Sequence, residues 1–193
     1  KREFGVRSTD IFLPDCFGFG YALPSVAHHA DLLGFTTQKL SWGSAYGNPF
    51  DMGKWYGADG NYIFGVLRPG SYTTDYSKKK YVDTKNLRTC KFIKDKMAEN
   101  EKYALDFTVS FQGVGDQGGS PTVSSVEVMH RGFLENGKSD TEVISAFATE
   151  PFDRLNSLSD EEKDALPKWD NELVMTYHGV GGYTSRAVGK RWN

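Results

Sequence analysis

Asp15, Lys39, Tyr72, Asp116 and His178 each stand where an apolar run gives way to a turn or loop. In sheets flanked by helices, such carboxyl-terminal strand ends are where reacting groups gather. Asp15 follows Ile11-Phe12-Leu13-Pro14 and precedes Cys16-Phe17-Gly18-Phe19-Gly20. Those glycines permit a tight turn that holds the carboxylate out over a sheet, although a turn or helix-capping aspartate fits the same pattern. Asp116 lies in Gly113-Val114-Gly115-Asp116-Gln117-Gly118-Gly119-Ser120-Pro121, ahead of a helical stretch. Such a loop could cradle a phosphate at a helix N-terminus. It lacks the Gly-Lys-Ser/Thr ending of a nucleotide loop, and its carboxylate would repel phosphate. A sugar hydroxyl or a leaving-group oxygen suits it better, with a plain turn aspartate as the alternative.

The histidines are less informative. His28 and His29 are adjacent in a helical stretch, so they point about 100° apart and make poor joint metal ligands. They read as one surface and one semi-buried histidine, and His130 is placed similarly in a helix. His178 leads into Gly179-Val180-Gly181-Gly182 and is the best-placed histidine, though a core or loop role competes. Aromatic residues make up 14% of the chain, and Trp42, Tyr46, Trp55, Tyr56 and Tyr72 crowd the segments after strands. Rings exposed there would stack on the apolar faces of sugars, whereas buried rings would be ordinary packing.

The elements that must position these groups alternate. Strands are expected at Ile11–Leu13, Phe35–Leu40, Tyr62–Leu67, Leu105–Phe111, Glu142–Phe147 and Leu173–Tyr177. Helices are expected from Pro24 to a Gly34 cap, from about Asp83 to Lys102 with Leu87, Cys90, Ile93 and Met97 on one face, from Thr122 to Leu134, and over Phe152–Leu158. Ser159 and Glu162 form a capping-box pattern, and Trp42 to Gly60 reads as a long loop. Strand–helix alternation predicts an α/β fold, a parallel sheet with helices outside it. With about six strands it is fewer than a closed eight-stranded barrel needs, so it reads as a partial barrel-like (β/α) sheet.

Hydrophobic residues are 38% and charged residues 25% of 193, so the chain is globular and long enough for one core. The net charge of −2 is spread among mixed acids and bases, which gives no support to a nucleic-acid or membrane-surface partner. Lys78-Lys79-Lys80 is the only basic run. Cys16 and Cys90 are too few for a disulfide framework and lack zinc-finger spacing. No apolar stretch reaches about 18 residues, the length of a membrane span. Both ends read as cut from a longer chain. Oligomeric state, compartment and any signal peptide are not legible.

Four separated segments resemble glycoside hydrolase family 38, the class II α-mannosidases, and especially their bacterial members. Phe12-Leu13-Pro14-Asp15-Cys16-Phe17-Gly18-Phe19 resembles the nucleophile motif, and Gly34-Phe35-Thr36-Thr37-Gln38-Lys39-Leu40-Ser41-Trp42 the strand that follows it. The loop Gly113–Thr122 is similar to a glycine-rich catalytic loop. Glu172-Leu173, His178-Gly179, Tyr183-Thr184-Ser185-Arg186 and Lys190-Arg191 are similar to the junction into a three-helix bundle. The resemblance implies part of a seven-stranded α/β barrel over residues 1–178 and the start of a helical-bundle domain over 179–193. It implies a retaining α-mannosidase, with Asp15 as nucleophile and Asp116 as acid/base; such carboxylates stand about 5–5.5 Å apart. Asp116 is followed by Gln117, where one branch of the family has two adjacent acids. Lys39, Tyr72, Trp55 and His178 are the implied substrate contacts, with a mannose-containing glycan as partner.

The same resemblance implies zinc, with Asp15 as a metal ligand. The family's histidine-x-aspartate pair and a further histidine have no counterpart in this numbering. The chain alone is therefore expected to bind little zinc and to hydrolyse nothing, since a zinc site takes three or four ligands. A non-catalytic carbohydrate-binding relative is the alternative, and a phosphate-ligand α/β domain is a third reading.

Overall fold

The computed structural model describes residues 3–78 and 87–176. His178, the end of the last expected strand and the expected helical-bundle start at 179–193 lie outside them. Five strands form one sheet in the order β1-β2-β4-β3-β5: β1 (Asp10–Phe12), β2 (Gly34–Thr36), β3 (Met52–Tyr56), β4 (Tyr62–Val66) and β5 (Lys168–Trp169). β1, β2 and β4 run parallel, with Phe12, Thr36 and Val66 level at their carboxyl ends. β3 is antiparallel to β4, and β5 follows β3. The sheet is thus α/β and mostly parallel but mixed, where a wholly parallel one was expected. Among the described residues it runs open from β1 to β5.

The antiparallel member comes from the stretch read as a loop. Gly53 and Lys54 look like loop residues, yet both serve the sheet. A Cβ on Gly53 would stand 2.5 Å from the Pro167 carbonyl, so only glycine lets β5's leading chain approach. Lys54 is buried and its ammonium reaches Asp164 at 3.0 Å. The pairing is closed by a tight turn in which Gly57 N–H donates to the Asn61 carbonyl at 2.8 Å and Gly60 takes φ +79. Asp59-Gly60 is a recognisable hairpin signal.

Alternation sorts the side chains. One sheet face carries Phe35, Trp55, Ile63 and Leu67, packed with Phe19 and Ala27. The other carries Met52, Phe64 and Val66 against Phe152, Leu155, Leu105 and Leu166. Helix α1 (Ala22–His29) packs on β3 and β4. Its buried Pro24 stands in the first turn, where a missing N–H costs nothing. The helix ends at Ala30 and a left-handed Asp31, φ +55. Gly34 is therefore not its cap; it opens β2, and the Phe152 ring fills the place of its missing side chain, 2.2 Å from a built Cβ.

Helix α2 (Lys91–Asn100) is shorter than expected, preceded by a 3₁₀ turn at Leu87–Thr89 and an extended Cys90. Its fully buried residues are Lys96 and Asn100 rather than an apolar stripe. Helix α3 (Val123–Leu134) and α4 (Glu150–Ser157) lie within a few residues of their predicted spans. In α5 (Asp160–Ala165) the predicted capping box is present, Ser159 accepting from Glu162 N–H and Glu162 accepting from Ser159 N–H.

Two expected strands are not strands. Over Leu105–Phe111, side chains satisfy the backbone in place of a ladder: Asn100 donates to the Phe107 carbonyl at 3.0 Å and Lys96 to that of Val109. Over Glu142–Phe147, the Asn136 amide donates to the Val143 carbonyl and accepts from the Val143 N–H, and Arg88 holds the Thr141 carbonyl. At Leu173–Met175 the chain makes only single bridges to Phe19 and Ser44.

Candidate functional site

β1 delivers Asp15. The ladder is continued by Leu13 N–H to the Thr36 carbonyl at 3.0 Å, and Pro14 then begins the turn. Gly18 takes φ +116, and a Cβ built there would stand 3.3 Å from the Leu173 carbonyl; Phe19 and Leu173 exchange backbone bonds at 2.9 and 3.0 Å. The carboxylate of Asp15 stays half exposed and forms an ion pair with Lys39.

β2 delivers Lys39, which begins a 3₁₀ turn (Lys39–Trp42). Its side chain is 4% exposed. The ammonium lies 3.9 Å from the centre of the Trp42 ring and 5.0 Å from that of Phe17. A buried cation is tolerated when rings and a carboxylate replace its water. Phe17 was not singled out by the sequence reading; its place two residues after Asp15, within the glycine turn, was the available signal.

Tyr72 comes from the loop after β4 and reaches the second acid. Its hydroxyl donates to Asp116 Oδ1 at 2.8 Å. Burial, the bond to Asp116 and the charges of Asp15 and Asp116 push the phenol up to about 12, so it stays protonated at neutral pH. Asp116 itself is exposed, at φ +61 in a three-residue turn closed by Gln117 N–H to the Gly115 carbonyl at 2.7 Å. Aspartate tolerates this left-handed region better than most side chains. At the following helix, Thr122 already accepts from Ser125 N–H.

Asp15, Lys39, Tyr72 and Asp116 therefore share one place. Trp55 does not. It is fully buried, against Phe35 at 5.0 Å, with its indole N–H on the Asn171 carbonyl at 2.9 Å. It has no face to offer a sugar, and its reading as a substrate contact is corrected: a strand, not a loop, carries it inward. His28 and His29 are both exposed on α1, His28 on the Tyr62 carbonyl and His29 on Asp59 at 2.8 Å. A cavity of about 540 Å³ lies elsewhere, lined by Phe12, Phe107, Phe111 and Phe147 and by none of the four site residues.

Among the described residues no three histidine, cysteine, aspartate or glutamate side chains come together to hold a metal. Asp15 is moreover engaged by an ammonium. These residues alone do not fit a zinc ion.

The α/β sheet thus presents two carboxylates, a buried cation and a phenol on the loops after its strands. The chain belongs to glycosyl hydrolase family 38: the model of that family's N-terminal domain matches residues 1–172. It is 30% identical to α-mannosidase G of Dictyostelium discoideum over its whole length, to an α-mannosidase of Saccharomyces cerevisiae over 98% of it, and to human α-mannosidase 2C1 over its whole length. The chain spans 16–17% of the length of those relatives. A crystal structure of an α-mannosidase from Enterococcus faecalis V583 superposes with a TM-score of 0.56 at 20% identity, over 89% of this chain and 18% of that one, a likeness of fold.

Proposed function

We propose that the chain carries the carboxylate pair of a retaining α-mannosidase acting on mannose-containing glycans. The observation that carries this reading is the Tyr72 hydroxyl, bonded to Asp116 and acted on by Asp15. Two acids far apart in sequence thereby act on one phenol, which supports a double displacement. Asp15 attacks the anomeric carbon as the C1–oxygen bond breaks, and the Asp116 proton passes to the leaving oxygen. Water then gives its proton to Asp116 and its oxygen to C1, and the Asp15 ester opens. Lys39 fixes the direction of Asp15 throughout.

Family membership supports the rest of the reading. The sheet would be part of a closed α/β barrel completed by the remainder of a longer polypeptide. Zinc, if used, would take Asp15 as one ligand and its others from outside the described residues; His178 stays a proposed substrate contact.

The test is hydrolysis of an aryl α-mannoside by a polypeptide that carries this chain at the full length of its relatives. Proton NMR should show α-mannose as the first product, and Asp15→Asn should abolish turnover. Initial release of the β anomer, or full activity in Asp15→Asn, would refute the assignment.

A further inference from the structure

The Gly113–Gln117 loop is wrapped around one side chain. A Cβ built on Gly115 would stand 1.7 and 1.9 Å from two ring carbons of Tyr72, so the ring occupies the place of a residue-115 side chain. The Tyr72 carbonyl lies 3.1 Å from where a Cβ of Gly113 would be, and Gly113 N–H donates to the Thr74 carbonyl at 3.1 Å. Tyr72 is itself held in a turn by Thr74 N–H to the Ser71 carbonyl at 3.0 Å.

A loop with four glycines in seven residues has wide conformational freedom and would not by itself keep a carboxylate in one place. A general acid must sit within hydrogen-bond reach of the atom it protonates. We propose that Tyr72 and Gly115 are a positioning pair for Asp116: the ring, seated in the missing side chain of Gly115, and the hydroxyl, bonded to the carboxylate, together set where the acid delivers its proton. This rests on the reading of Asp116 as the acid. It also gives Tyr72 a role beyond contact with substrate. A methyl group at residue 115 overlaps the ring, so ring or loop must move and Asp116 moves with it.

The experiment uses α-mannosides of graded leaving-group pKa, from dinitrophenyl to alkyl, with the full-length polypeptide. Protonation matters least for the best leaving group. Gly115→Ala should lose about 10²-fold in kcat on the alkyl mannoside, the cost of an acid misplaced by about 1 Å, and only about 3-fold on the dinitrophenyl one. Tyr72→Phe keeps the ring and removes one hydrogen bond, so it should lose about tenfold on the alkyl substrate with KM little changed. The double variant Gly115→Ala/Tyr72→Ala removes the overlap, and its loss should be smaller than the product of the losses measured for Gly115→Ala alone and Tyr72→Ala alone. A uniform loss across leaving groups in Gly115→Ala, or losses that simply multiply, would overturn the positioning pair. Asp116→Ala is the control: a leaving-group dependence there keeps the acid assignment whatever Gly115→Ala does. A flat response in Asp116→Ala removes the acid assignment and this proposal together.

Discussion

Lys39 is paired with Asp15, the proposed nucleophile. Its ammonium is almost wholly buried while its partner Asp15 is half open, so the ion pair itself contributes little to stability. The two rings flanking the cation, Phe17 and Trp42, hold it at about 0.5–2 kcal/mol each. The arrangement is better suited to orienting a carboxylate than to stabilising a fold. Lys39→Met keeps the stem between the rings and removes the charge. It should lower kcat/KM by about 10²-fold through a misdirected nucleophile, with the thermal midpoint falling by only a few degrees. Steady-state kinetics and a thermal melt on the same sample check this, and a collapsed midpoint would make Lys39 a structural residue instead. That Asp15, Lys39, Tyr72 and Asp116 gather on one side of the sheet was legible because each follows an apolar run and stands at a turn. Trp55 misled because aromatic residues mark loops and cores alike, and only the pairing of β3 says which.

At the scale of elements, local signals were readable and tertiary ones were not. β1, β2, β4, α1, α3, α4 and the Ser159–Glu162 box follow from periodicity, proline placement and capping. β3 escaped because its glycine and lysine are explained only by distant groups, the Pro167 carbonyl and the Asp164 carboxylate. Leu105–Phe111 and Glu142–Phe147 have strand-like alternation, but asparagine and lysine side chains take the bonds that a neighbouring strand would have made. Gly34 shows the same lesson, since helix capping and ring packing both ask for glycine. The two differ in their consequence. A cap at φ below zero would accept alanine at small cost, whereas the Phe152 ring 2.2 Å from a Cβ would not. Gly34→Ala should destabilise by about 1–3 kcal/mol through overpacking, read as a lower denaturant midpoint with the slope unchanged. Gly34→Ala combined with Phe152→Leu should recover part of that loss.

At the scale of the whole molecule, the sheet is joined to the α2 side by a buried charge. Asp51, which precedes β3, and Lys96 of α2 are both fully buried, with 3.1 Å between Asp51 Oδ1 and the ammonium. Asp51 Oδ2 accepts from Asn100 and from Thr108, each at 2.8 Å, and Lys96 donates to the Val109 carbonyl. One carboxylate thereby ties the mouth of β3, helix α2 and the strand-like segment after it. Burial pushes the Lys96 ammonium below its usual range and the Asp51 charge opposes that. Two charges taken out of water rarely stabilise more than apolar packing of the same volume, but removing one leaves the other unpaired. Lys96→Met should therefore cost about 3–5 kcal/mol. It should also loosen the chain from Leu105 to Phe111, seen as faster amide exchange there, while exchange in α1 stays slow. Lys96→Met with Asp51→Leu should regain most of the loss, because no uncompensated charge remains. If the single variant melts like the parent, water already reaches Asp51, and the join between sheet and α2 is held by its apolar neighbours instead.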